Sequence, residues 1–473
     1  VLFFVLYWVV DITGTKLAKD GAISAAAGVF VSTIVLFPIG MYFTWKAIND
    51  SALFNTENFG SWWRKIKSKF MSTFRKTRIV YMGTPEFAVA PLKALLDAKY
   101  NVVGVVTVAD KPSGRGLKVN ESAVKKFAVE NNIPVLQPVK LKDPEFLKQL
   151  ADFKADLFVV VAFRMLPEEV WAMPKLGTFN LHAALLPQYR GAAPINWAVI
   201  NGEKMSGVTT FMIDKDIDTG GIMLRQECRI SESDNAGNLH DKLMPIGADL
   251  VVQTVEGIIE KNIETRVQRS FIQGSEVLKP APKLTRELCH IDWNDSTRSI
   301  YNLIRGLSPY PAAFTELVPA AGGAPVQLKI YAGAKVEGDE FRSMLVRCGV
   351  GEGFSSGFSS GFSSGLSSGT SSDLSSATSQ GTFHGNQDGV EDNFAVNAKE
   401  GHTGSNIKPG QILSDGKSFF AITTADGAIS LTDLQLAGKK RMEVKPFLAG
   451  FRNPSEWETT LGTSKEEIAK TRK

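Results

Sequence analysis

Between residues 78 and 259, short apolar and β-branched runs alternate with helix-compatible stretches, and few folds accept that alternation. Strands are predicted over 79–82, 102–108, 157–162, 178–181 and 208–213, with a short one at Val135. Helices are predicted over 87–96, 124–131, 146–150 and 235–259. Thr84 is placed to cap the first of these helices, with Pro85 at its first position. The fold class expected is α/β, a mostly parallel sheet with helices covering it. The turn after the first strand, Gly83-Thr84-Pro85-Glu86-Phe87, is not GxGxxG, and no GxxxxGK[ST] occurs anywhere. Dinucleotide and nucleoside-triphosphate readings therefore have no support.

At 473 residues the chain exceeds one ordinary core, so more domains are expected. Segment 263–282 is polar and Pro-containing and reads as a linker after a catalytic domain over 71–262. Beyond it, strand-like runs at 326–331, 344–350, 410–413, 419–423 and 428–431 suggest a small β-barrel domain over 283–460, entered through a helix near 295–306. A four-residue Gly-Phe-Ser-Ser repeat interrupts it, and the Ser/Gly-rich insert over 351–406 is expected to stay unfolded. With the insert set aside, residues 279–473 hold 20 Lys and Arg against 15 Asp and Glu, and Lys439, Lys440 and Arg441 are adjacent. Such a barrel suits a phosphate backbone, or carries an ordinary solvated basic face.

Residues 1–70 differ in character. Segment 25–43 has no charge and is long enough to span a bilayer, and an aromatic and basic stretch follows at 62–69. The chain opens on Val1, and Met71 begins a polar stretch. Residues 1–70 are expected to be the tail of an upstream membrane protein joined to this frame, a genuine membrane anchor being the alternative. Three widely spaced cysteines give no disulfide framework, which points to a reducing compartment. Localisation is accordingly expected to be cytoplasmic, membrane-attached only if residues 1–70 belong to the expressed chain.

The chemistry concentrates in Asn180-Leu181-His182. An amide and an imidazole two residues apart on a strand face the same side. At a strand's carboxyl end they project into the crevice where α/β sheets bind ligands. Asp218, in the turn Asp216-Ile217-Asp218-Thr219-Gly220-Gly221, supplies an acid; Asp214 and Asp216 compete with it on spacing. Asn, His and Asp together make a site for proton transfer and oxyanion binding. No other His or Cys lies at ligand spacing around His182, so no metal is expected. The loop 110–118 carries Lys111, Arg115 and Lys118 with two glycines, a mobile arm suited to phosphates or an exposed turn.

These residues resemble the methionyl-tRNA formyltransferases. The resemblance runs through MGTPEFA (82–88), KPSGRG (111–116), NLHAALLPQYRGAAPI (180–195), DIDTGG (216–221), IDW (291–293), IRGLSPYP (304–311), PGQIL (409–413) and LQLAGKKRM (434–442). It implies a Rossmann-like formyltransferase domain, an OB-like barrel that helps hold tRNA, and 10-formyltetrahydrofolate as co-substrate. By position it implies Asn180, His182 and Asp218 as the catalytic trio. It gives Ala184, Leu185, Leu186 and Pro187 as the folate-contacting loop. Arg115 and Lys118, with Lys439, Lys440 and Arg441, would meet tRNA. The partners implied are initiator methionyl-tRNA and folate, with no stable protein partner. Ala183-Ala184 stands where Gly-Ser is frequent, and 163–167 is a residue shorter than the commoner Tyr-Gly form. A formyltransferase acting on a sugar nucleotide or glycinamide ribonucleotide is the alternative.

Overall fold

The computed structural model describes Lys16 and residues 76–113, 118–272, 274–275, 277–350 and 407–462. The expected membrane-like segment and the Ser/Gly insert lie almost wholly outside these residues. Among the described residues, no helix is long and apolar enough to cross a membrane. The chain divides into a unit of residues 1–76 and a unit of residues 77–473, and all the described strands belong to the second.

The first sheet is built from β1 (Arg78–Gly83), β2 (Asn101–Val106), β5 (Val135–Leu136), β6 (Leu157–Val161), β7 (Thr178–His182), β8 (Met205–Met212) and β9 (Ile222–Arg229). Between β2 and β5 the chain makes a small hairpin of β3 (Lys111–Ser113) and β4 (Lys118–Asn120). The order is β5-β2-β1-β6-β7-β8-β9. β1 and β6 read as unbroken apolar runs because both faces are covered, and every residue of β6 is buried. The chain winds outward from β1 to β5 and then returns to lay β6 on the other side of β1. A crevice opens at such a reversal, beyond the carboxyl ends of the strands.

Two predicted features change. β1, β2, β5, β6 and β7 are parallel, but β7–β8 and β8–β9 are antiparallel. The connection 213–221 between β8 and β9 is too short for a crossover helix, so the chain turns back as a hairpin. At the first turn Pro85, not Thr84, sits at the cap of a 3-10 turn over Glu86–Ala88 and makes no side-chain cap bond. α1 (Val89–Asp97) follows.

Helices α2 (Ala123–Glu130), α3 (Pro144–Asp152), α4 (Glu168–Trp171) and α5 (Pro194–Ile200) occupy the other connections. The long α6 (Ala236–Glu260) closes the domain, its start fixed by a reciprocal capping box between Asn235 and Asn238.

After α7 (Arg286–Cys289), α8 (Thr297–Leu307) begins at Ser296, whose hydroxyl accepts from the Ser299 amide at 3.2 Å. It joins the two domains closely. Asn196 Nδ2 donates to the Gly306 carbonyl at 2.8 Å, and Trp197 Nε1 to that of Pro282 at 2.7 Å. A Cβ on Gly306 would stand 2.4 Å from the Ile200 side chain and 2.9 Å from its amide nitrogen, so glycine sets how near α8 lies to α5.

The second sheet comprises β10 (Ala313–Pro319), β11 (Val326–Val336), β12 (Ile412–Ser414), β13 (Phe420–Thr423), β14 (Ala428–Leu436), β15 (Met442–Glu443) and β16 (Trp457–Thr459). It runs β12-β13-β14-β11-β10-β16, with β15 on β14. The sheet curls into a nearly closed barrel: Thr459 Oγ1 on one edge donates to the Gly410 carbonyl just before the other, at 2.6 Å. Trp293, Phe420, Leu431 and Phe447 are among the residues filling it. The predicted strand at 344–350 is not one, because 344–347 form the last turn of α9 (Gly338–Arg347) and 348–350 turn out of it. α10 (Val444–Gly450) packs Phe447 and Leu448 against the barrel core.

His290 stacks on Phe314, ring centroids 4.9 Å apart, with Nε2 3.1 Å from Thr460 Oγ1. Burial foremost, with Arg286 adding to it, holds its pKa below the ordinary 6.5 against Glu316 and Asp292. The unfolded chain therefore binds this proton more readily than the folded one. The stability involved is intact above 6.5 and is lost as pH falls from there through the folded value. His290→Gln should show a flatter dependence of melting temperature on pH between about 5 and 7 than the wild type. Parallel curves would rule this histidine out.

Candidate active site

The crevice at the chain reversal is a cavity of about 730 Å³, within the range of small-molecule sites. Pro85 and Phe87 line it after β1, Ala162 to Leu166 after β6, and Asn180, Leu181, His182 and Ala183 at the end of β7. The 214–218 turn and His240 of α6 complete the wall. Asn180 is half-buried and His182 only 6% exposed, both on the cavity as their spacing predicted.

Asp218 is the acid that comes to the imidazole, its Oδ2 standing 3.8 Å from His182 Nδ1. Asp214 instead braces the turn: its Oδ1 accepts from the Asp216 amide at 3.2 Å and from the Thr219 hydroxyl at 2.7 Å. Asp216 is exposed. Asp218 sits in the left-handed region at φ 55°, and Oδ2 accepts from the Gly191 amide at 2.9 Å.

The ring is not held by Asp218 as a simple triad would have it. His182 Nε2 lies 2.8 Å from the Tyr189 carbonyl, which can only accept, so Nε2 carries the hydrogen. Neutral His182 then turns a bare Nδ1 toward the cavity. A lone pair and a carboxylate are both acceptors, which accounts for a separation longer than a hydrogen bond. Once Nδ1 gains a proton, the same pair becomes an ion pair.

Tyr189 was missed in the sequence, since the atom it contributes is main chain. Its φ of 61° aims the carbonyl at the ring. Three bonds hold that conformation: its amide donates to the Lys279 carbonyl at 2.7 Å, its hydroxyl to Glu203 at 2.5 Å, and Asn201 Nδ2 donates to the hydroxyl at 3.2 Å. Burial, then the Glu203 bond, pushes the phenol pKa well up, so it stays a donor.

None of Ala184, Leu185, Leu186 and Pro187 lines the cavity. Ala184 and Leu186 are fully buried, and Leu186 packs with Phe211 and Ile222. The backbone here is locked by Thr209 of β8, whose hydroxyl donates to the Ala184 carbonyl at 2.6 Å and accepts from the Leu186 amide at 3.1 Å. The apolar wall comes from Val160, Phe163, Met165, Leu166, Phe211 and Ile213. Arg164 fastens that wall by donating to the Val139 carbonyl at 2.9 Å and to that of Pro138.

Arg115 lies outside the described residues, and Lys118 is placed by its backbone on β4 alone. Lys439 and Lys440 are exposed after β14. Arg441 is engaged: its Nε donates to both Asp433 oxygens at 2.9 and 3.0 Å, and the guanidinium lies 4.2 Å over the Tyr331 ring. Among the described residues, no group of three His, Cys, Asp or Glu could hold a metal ion.

Residues 77–255 match the family model described as formyl transferase, and residues 283–349 and 391–452 match that of the formyl transferase C-terminal domain. The chain is 53% identical over 376 residues to the methionyl-tRNA formyltransferase of Flavobacterium johnsoniae, covering 80% of this chain and 96% of that protein. It is 44% identical over 381 residues to that of Parabacteroides distasonis, covering 80% and 97%. Among solved structures, HypX from Aquifex aeolicus in complex with tetrahydrofolic acid aligns at 15% identity with a TM-score of 0.44, over 78% of this chain and 46% of that one. Since the curated relatives match across nearly their whole length, catalytic domain and barrel together, the chain belongs to the methionyl-tRNA formyltransferase family.

Proposed function

We propose that the protein transfers the formyl group of 10-formyltetrahydrofolate to the α-amine of initiator methionyl-tRNA, a cytoplasmic step of translation initiation. The observation that carries the chemistry is the orientation of His182, whose Nδ1 faces both Asp218 and the cavity. The cavity suits the donor, since its apolar wall at 160–166 and 211–213 would flank a flat pterin, while the polar trio lies beside it.

The bound folate supplies an activated formyl carbon attached to N10. His182 Nδ1 takes the proton that the methionyl amine sheds as it bonds to that carbon. Asp218 stabilises the imidazolium so formed. Asn180 donates from its amide to the formyl oxygen as negative charge gathers there. His182 then gives its proton to N10 as the carbon–N10 bond breaks, which returns the ring to its starting state. Lys439 and Lys440 offer cations to the tRNA backbone. Arg441, already paired with Asp433, contributes shape to the same face.

The full chain should move label from 10-formyltetrahydrofolate to charged initiator tRNA, and leave uncharged tRNA and sugar nucleotides unlabelled. Label on the sugar nucleotide alone would reassign the acceptor. No label on any acceptor would overturn the reading.

A further inference from the structure

Residues 263–282 read as a passive linker, yet they contain a buried polar side chain at the back of the site. Gln268 opens a 3-10 turn, Gln268–Phe271, and is 2% exposed. A buried amide is tolerated when its hydrogen-bonding capacity is met, and here it is. Oε1 accepts from Arg190 Nε at 3.0 Å and Nη2 at 2.6 Å. Nε2 donates to the carbonyls of Asp218 at 2.8 Å and Gly220 at 3.0 Å. A guanidinium only donates and a carbonyl only accepts, so the amide has one consistent orientation.

The two carbonyls bracket the turn on which Asp218 sits in its left-handed conformation. On the other side, Arg190 precedes Gly191, whose amide donates to the Asp218 carboxylate. One side chain thus fastens both loops that set the carboxylate opposite His182. The segment bearing it is itself paired to the sheet, because Arg266 and Ile222 exchange two backbone bonds of 2.8 Å.

We propose that Gln268 is a positioning residue for formyl transfer, holding Asp218 at the distance from which it stabilises the His182 imidazolium. This role rests on the catalytic reading of His182 and Asp218. The charged and titratable groups sharing the cavity wall with His182 are Arg164, Asp214, Lys215, Asp216, Asp218 and His240. Among the described residues Asp218 is the one that approaches the ring within an ion-pair distance.

Gln268→Glu is the informative substitution. A carboxylate still accepts from Arg190 but cannot donate to the two carbonyls, and it repels the peptide oxygens it faces. The expected result is a loss in kcat on the order of 100-fold, as for a misplaced catalytic group, with KM for charged tRNA unchanged. Gln268→Asn, which retracts the amide by one carbon, serves with the same expectations if the glutamate variant does not fold. A kcat that falls only with the folded fraction, or a KM for charged tRNA that rises along with the loss, would overturn the proposal. Wild-type chain in the same assay separates the two failures: no transfer by the wild type refutes the catalytic reading, whereas transfer by it with an unchanged kcat per folded variant refutes only the role of Gln268.

Discussion

His182→Ala should lower kcat for formyl transfer by on the order of 100- to 1000-fold, the range for loss of a group that acts on the developing charge, while charged tRNA binds as before. The separation follows from geometry. The ring is 6% exposed, its Nε2 is committed to the Tyr189 carbonyl, and its Nδ1 faces Asp218, with which it shares the cavity wall. It has no surface with which to hold a macromolecule, so its removal is felt in the chemical step. Single-turnover transfer beside a tRNA binding isotherm would read the two apart. Turnover near the wild-type rate would take the imidazole out of the reaction.

The second large effect is expected at Gly220. A Cβ there would lie 1.6 Å from the Met212 carbonyl oxygen and 2.8 Å from its carbon, which is backbone and cannot swing aside. Gly220→Ala must push the 218–220 turn off β8, and Asp218 moves with it. Overpacking of this kind destabilises by about 1–3 kcal/mol. A displacement of the carboxylate by even 1 Å would cost on the order of 100-fold in rate. Gly221→Ala is the milder comparison, since its Cβ would stand 3.0 Å from the Thr265 Cβ, a contact relieved by a shift of a few tenths of an ångström rather than by moving the β8 backbone. Thermal melting and kcat for the two variants test the contrast. Equal activities would mean that the position of this turn does not govern catalysis.

Much of the site was legible because its side chains act directly. Asn180 and His182 share a face of β7 by the strand period alone, and Asp218 was one of three acids in a visible turn. What remained hidden was supplied by backbone or by burial. The Tyr189 carbonyl that fixes the imidazole tautomer has no signature in residue type. Gln268 sits in a polar stretch, where only the folded chain reveals one glutamine as buried. Thr209 looked like an ordinary strand residue, although its hydroxyl holds the Ala184 and Leu186 backbone. The folate contacts attached to Ala184 through Pro187 by resemblance fall on a loop that does not line the cavity, with Ala184 and Leu186 fully buried and Leu185 half-buried. The fold read similarly: alternation gave the parallel strands, whereas the reversal of β8 against β7 has no signal in connection length, because the 183–204 segment carries α5 and is long enough for a crossover. Only the β8–β9 hairpin was available in the sequence, since 213–221 cannot accommodate a crossover; apolar content alone does not distinguish the two directions.

The Tyr189 carbonyl behind His182 also determines the route by which protons enter and leave the site. With Nε2 closed off, the ring can load and unload only through Nδ1, on the cavity side. In the proposed transfer, the nitrogen that takes the proton from the attacking amine is therefore also the one that returns it to N10, so the histidine serves as a one-place store. The direction in which one peptide group points is what leaves that single nitrogen to do both.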